Sequence, residues 1–141
     1  LVSALAASYR DLHWQTLPAS YMGGTFSDSF ALTQLIGQPL HGDQPCLFAC
    51  DGLAAGFALL APNSFYPPHQ KTAAEFCGIL TGFAEWQIYY NPPFYHPPGA
   101  HIFHPPDAEH AMHAHDDPLL TVWAWTGNLA KPTAIQQSGW L

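Results

Sequence analysis

At 141 residues the chain is long enough for one domain with a sizeable core. Only 9% of it is charged, against roughly 25% in an average soluble protein, while aromatics reach 14%. The net charge of −7, with Arg10, Lys71 and Lys131 the basic residues, excludes nucleic acid and anionic membranes as partners, because both require a basic footprint. A surface so poor in Lys and Glu implies apolar area hidden in a cavity or against a partner, and a small molecule is the natural ligand.

Residues 1–45 read as an N-terminal helical segment that packs on the rest. Leu1, Leu5 and Tyr9, with Ala4 and Leu12, recur at helical spacing. A second helix is predicted from the cap pair Ser27-Asp28 through Phe30, Leu32, Leu35 and Ile36 to a stop at Gly37. The start, Leu1 to Ala7, is too short and lacks the cationic residues of a signal peptide, so the cytoplasm is expected. Because the chain opens on Leu and not Met, a leader ahead of it stays open.

From Cys46 the pattern changes to short apolar runs cut by Pro and Gly. Strands are predicted near 46–50, 54–61, 74–81, 83–90, 100–104, 109–113 and 118–126. Turns fall at Asp51-Gly52, Pro62-Asn63, Thr81-Gly82, Pro92-Pro93, Pro97-Pro98-Gly99, Pro105-Pro106 and Asp116-Asp117-Pro118. This spacing makes residues 46–130 a β-sandwich or barrel, with 131–141 a C-terminal tail. Cys46, Cys50 and Cys77 cannot form a disulfide framework, since one must stay unpaired, and the first two read as structural thiols on an apolar run. No run of eighteen apolar residues exists to span a membrane.

Chemistry concentrates in two stretches. In the first, His69 and Glu75 lie six residues apart, and Glu75 enters a run that ends at Gly82; in the second, His110 follows Pro105-Pro106. Strand alternation puts Glu75, Cys77 and Ile79 on one face, His110 with Met112, and Thr121 with Trp123 and Trp125. A carboxylate facing into a barrel needs a cation or a donor. If His69, Glu75 and His110 meet there, they offer two imidazoles and a carboxylate, a set that suits a divalent transition metal: zinc, iron, manganese or nickel. Lys71 either points into this group or faces outward from its loop and bridges to Glu75 at the surface. The remaining histidines, His96, His101, His104, His113 and His115, are dense enough to suggest a second metal site or adventitious metal capture, but read mostly as loop and rim residues; His104, at a strand end before Pro105, is the one best placed to face the pocket.

The region from about 53 to 129 resembles the cupin superfamily and, within it, the dimethylsulfoniopropionate (DMSP) lyases. The resemblance rests on Tyr66-Pro67, His69, Glu75, Leu80-Thr81-Gly82, Ala84-Glu85-Trp86, His110-Ala111-Met112, Asp116-Asp117-Pro118-Leu119-Leu120 and Trp125. It departs from the family pattern at Lys71, where the second His of the first motif falls, and at Cys77, where a Tyr falls. The resemblance implies a mostly β, single-domain cupin, a double-stranded β-helix or jelly-roll barrel with N-terminal helices. It further implies β-elimination of DMSP to dimethyl sulfide and acrylate in a metal-containing pocket. On this reading His69, Glu75 and His110 hold the metal with Cys77 as a soft fourth ligand, and Tyr66 and Lys71 are catalytic. Trp86, Tyr89, His104, Trp123 and Trp125 contact the substrate, the rings through cation–π attraction to the sulfonium. Alternatives that remain are the same chemistry on another small carboxylate, Lys71 standing in for the metal, and a non-catalytic binding cupin. Small cupins pair through exposed strands, so a homodimer is expected.

Overall fold

Alternation of buried and exposed side chains organises the chain from Phe30 onward. The computed structural model describes residues 2–17, 24–40, 46–130 and 134–135; Leu1 and all of the 131–141 tail except 134–135 lie outside the described residues, as does the Leu5 side chain. A short helix α1 (Val2–Ser8) runs into one 3-10 turn (Tyr9–Asp11), and a single helical turn α2 (Gly24–Ser27) precedes the strands. These are β1 (Phe30–Ile36), β2 (Leu53–Leu60), β3 (Phe65–Gln70), β4 (Ala73–Thr81), β5 (Ala84–Ile88), β6 (Phe94–His96), β7 (His101–His104), β8 (His110–Ala114), β9 (Leu119–Gly127) and β10 (Ala134–Ile135). They form two five-stranded sheets, in the orders β1-β2-β9-β4-β7 and β10-β3-β8-β5-β6, with every described pairing antiparallel. Leu32, Leu60, Ile79, Trp86, Leu119 and Trp123 from the two sheets share one core, and each such side chain stabilises the fold by roughly 1.5–3 kcal/mol on burial.

Two predicted elements are corrected. The stretch read as a helix from Ser27 to Gly37 is instead the end of α2, a turn closed by Ser29 N–H donating to the Phe26 carbonyl, and the edge strand β1. Phe30, Leu32, Leu35 and Ile36 fit a helical stripe, but β2 offers a full ladder from Phe30↔Leu60 to Gln34↔Gly56, and tertiary pairing wins over spacing. Gly56 makes this possible, since a Cβ there would lie 1.9 Å from the Thr33 carbonyl oxygen. Residues 46–50 form no strand; Phe48 pairs alone with Ile36, and Leu47 and Phe48 are exposed. β2, β4, β5, β7, β8 and β9 lie where the alternation predicted them. β3 was hidden by Pro67-Pro68. The ladder with β8 is interrupted between Tyr66 and His69, so neither proline has to donate a ladder hydrogen bond.

Candidate metal and substrate site

Register brings the polar residues together. Glu75 on β4 lies directly opposite His104 on β7 and Trp125 on β9, while His69 on β3 lies opposite His110 on β8. Their side chains meet between the sheets, where His69, His104 and His110 are at most 2% exposed and Glu75 and Lys71 are 7% exposed. Lys71 therefore faces inward, and a surface bridge is excluded.

Glu75 is the hub. Its Oε1 accepts a hydrogen bond from Trp125 Nε1–H at 2.7 Å, and its Oε2 lies 3.1 Å from His104 Nδ1 and 3.0 Å from His110 Nε2. Lys71 Nζ stands off at 3.5 and 3.4 Å from the two oxygens, and 4.7 Å above the Trp125 ring. Burial alone would raise the Glu75 carboxyl; the Lys71 ammonium and the two imidazoles outweigh it and hold the carboxyl well below the usual carboxylate range.

The histidines are fixed by their backs. His69 Nδ1–H donates to the Pro67 carbonyl and His110 Nδ1–H to the Ala108 carbonyl, each at 2.9 Å, so in the neutral rings both Nε2 atoms present lone pairs inward. Burial first, then neighbouring positive charge, holds His69 well below the usual imidazole range. Burial likewise lowers His110 to about 4, against the pull of Glu75. The Nε2 atoms of His69, His104 and His110 are all buried without a hydrogen-bond partner. At neutral pH the His110 lone pair thus faces a carboxylate oxygen at 3.0 Å, acceptor against acceptor, an arrangement that calls for a cation or a proton. Glu75, His104 and His110 offer ligand atoms within 4.8 Å of one another. Two imidazoles and a carboxylate are ordinary ligands of a catalytic transition-metal ion, and the residues fit one.

This group differs from the one read off the sequence. His104 joins Glu75 and His110, whereas His69 and Cys77 fall outside the set whose ligand atoms converge. His69 instead stacks flat on Tyr66, ring centroids 4.0 Å apart. The Cys77 thiol is pushed up to about 12, by burial first and the Glu75 charge second, and stays protonated at neutral pH. The sequence reading has His104 facing the pocket as a substrate contact; its place against Glu75 comes from the pairing of β4 with β7.

A cavity opens beside the hub. Tyr66, His69, Lys71, Glu75, Trp123 and Trp125 form its polar and aromatic wall; Leu17, Phe30, Leu32 and Leu60, from the N-terminal segment and the β1–β2 edge, form the apolar one, which the sequence reading did not foresee. Trp86, Tyr89 and His104 do not line it: Trp86 is wholly buried in the core, Tyr89 is half exposed at the end of β5, and His104 is buried against Glu75.

Comparison with known proteins gives the family and the fold. The dimethylsulfoniopropionate lyase family model matches residues 1–121. The crystal structure of the DMSP lyase DddQ from Ruegeria pomeroyi DSS-3 is similar over 94% of this chain and 65% of its own, at 32% identity and a TM-score of 0.80. A chain from crystal structures of the DMSP lyases RdDddP and RnDddQII is similar over 96% of this chain and 67% of its own, at 25% identity and a TM-score of 0.81. A cupin-like protein from Thermotoga maritima, 18% identical over 78% of this chain and 80% of its own with a TM-score of 0.59, shares the fold. The chain thus spans about two thirds of the length of the two lyases. No curated protein matches it. Among the described residues no helix is long and apolar enough to cross a membrane.

Proposed function

We propose that this chain, which belongs to the DMSP lyase family, cleaves dimethylsulfoniopropionate to dimethyl sulfide and acrylate in the cavity beside Glu75. The observation that carries the proposal is the convergence of Glu75, His104 and His110 from three strands against an aromatic wall. Glu75, His104 and His110 would hold a divalent transition metal, which supplies Lewis acidity toward the substrate carboxylate.

The reaction is a β-elimination. A base takes the proton from the carbon beside the carboxylate, that C–H pair becomes the new C=C bond, and the C–S pair leaves with dimethyl sulfide. Negative charge grows on the carboxylate as the proton departs, so a preorganised cation beside it lowers the barrier. Lys71 is placed for this. Its contacts to Glu75 are long, and the Glu75 oxygens already have Trp125 Nε1 and His104 Nδ1 at hydrogen-bond distance, so the ammonium can turn to the substrate. Tyr66 lines the same cavity and is the proposed base. Trp125 is committed through its N–H to Glu75 and through its ring to Lys71, which leaves Trp123 as the ring for the sulfonium. The apolar wall of Leu17, Phe30, Leu32 and Leu60 limits water around the departing sulfide.

A second reading is favoured by Lys71 alone: its ammonium lies 3.4 Å from the oxygen a metal would use, and the pocket would then bind a small carboxylate without turning it over. Incubating the protein with DMSP and following dimethyl sulfide by gas chromatography separates the two. Release that is lost in Glu75→Gln supports the lyase; thermal stabilisation by DMSP with no product supports the binding protein. We further place the protein in the cytoplasm as a homodimer, which fractionation and sedimentation would test.

A further inference from the structure

A second convergence of ligating groups lies on the outer face of the β10-β3-β8-β5-β6 sheet, away from the cavity. Alternation along β8 points His110 and Met112 inward and His113 outward, and His115, two residues further on, follows His113. On β5, Trp86 is buried and Glu85 turns out, directly opposite His113 in the ladder. The ligand atoms of Glu85, His113 and His115 lie within 4.8 Å of one another.

The neighbourhood holds these groups in place. His115 packs between Phe83 and Tyr95, with ring centroids 5.7 and 5.6 Å away, and its backbone N–H donates to the Phe83 carbonyl. His113 and His115 stand 5.3 Å apart between ring centroids. The Nε2 of His115 is buried without a hydrogen-bond partner, and among the described residues Glu85 forms no ion pair. With only three Lys and Arg residues in the chain, a cation from solution is the available partner for the carboxylate.

We propose that Glu85, His113 and His115 form a site for a divalent transition-metal ion, zinc foremost, that staples β5 to β8. Two imidazole nitrogens and one carboxylate select such an ion over calcium or magnesium, which take oxygen ligands. Bonds of about 2.0–2.1 Å in a tetrahedron put ligand atoms roughly 3.4 Å apart. Rotation of the half-buried Glu85 and His113 side chains closes the difference, and water completes the shell. The ion ties down the strand whose inner face carries His110, so the outer site supports the register of the inner one without touching substrate.

The test is calorimetric titration of the full chain, stripped with a chelator, with zinc ion alone. The variants are Glu85→Gln, His113→Ala and, to silence the cavity, His110→Ala. Glu85→Gln is nearly isosteric at a half-buried position and keeps the test independent of folding. The proposal predicts a zinc equivalent that survives His110→Ala and weakens by roughly tenfold or more in Glu85→Gln and His113→Ala. It also predicts a zinc-dependent rise in melting temperature in His110→Ala that adding Glu85→Gln to that variant abolishes. Zinc binding with unchanged affinity and stoichiometry in both outer variants would belong to the cavity or be adventitious, and would overturn the proposal. A single equivalent, lost in Glu85→Gln but kept in His110→Ala, would uphold the outer site while refuting metal binding in the cavity.

Discussion

Glu75 carries more of this protein than any other side chain, and its neighbours fix its behaviour with pH. His110 titrates at about 4 when folded, below its ordinary value near 6.5, so the unfolded chain binds its proton first as pH falls. Its neutral form therefore contributes stability that is fully present above about pH 6.5 and is lost as pH falls toward 4, on the order of 3 kcal/mol. His69, lowered in the same direction, adds to the loss on the acid side. Denaturant unfolding of chelator-treated protein from pH 7.5 to 4 is expected to show this decline, and His110→Gln to flatten it. Lys71 and Cys77 make a second test, because they are the positions where the first motif, as read from the sequence, departs from the family pattern. Lys71→His with Cys77→Tyr is expected to strengthen metal binding and raise dimethyl sulfide release several-fold, as read by metal titration and gas chromatography. No gain in either would count against the cavity assignment. The Cys77 thiol, pushed up to about 12, is expected to resist iodoacetamide at pH 8 in the folded protein, with mass spectrometry finding label on Cys46 or Cys50 instead.

At the scale of elements, the cavity depends on the edge of one sheet. β1 supplies Phe30 and Leu32 to the apolar wall and lies close against β2 at Gly56, where an added Cβ would meet the Thr33 carbonyl oxygen. Gly56→Ala is expected to destabilise the fold by about 3 kcal/mol and to weaken substrate binding with it; chemical denaturation and a KM measurement check both. This edge is also where the sequence was least readable. Phe30, Leu32, Leu35 and Ile36 satisfy a helical stripe as well as a strand, and only the ladder to β2 decides. Pro67-Pro68 disguised β3 in the same way, since prolines inside a strand are tolerated only where the ladder lapses. The inner strands were legible because β4 and β9 run nine residues each, alternate in burial over their first five or six, and end at turns. The motifs gave Glu75 and His110 their place in the site. His104 entered it through the pairing of β4 with β7, which is long-range information that no local spacing carries.

For the whole molecule, two sheets with a shared core place a carboxylate, three imidazoles and an ammonium beside an aromatic wall in a chain with almost no other basic charge. Such a group is costly to bury unless its members satisfy one another, and the unpartnered Nε2 atoms of His69, His104 and His110 show where that satisfaction is incomplete. A metal ion held there would supply what is missing. The central claim is that this cavity performs carbon–sulfur elimination. Its most direct test is release of dimethyl sulfide and acrylate from DMSP by chelator-treated protein, before and after addition of zinc, iron, manganese or nickel. Equal amounts of the two products, restored by at least one metal and reduced at least about 100-fold in Glu75→Gln and His110→Ala, is the predicted result. DMSP that raises the melting temperature under every metal condition while neither product forms would contradict the claim and leave a binding protein.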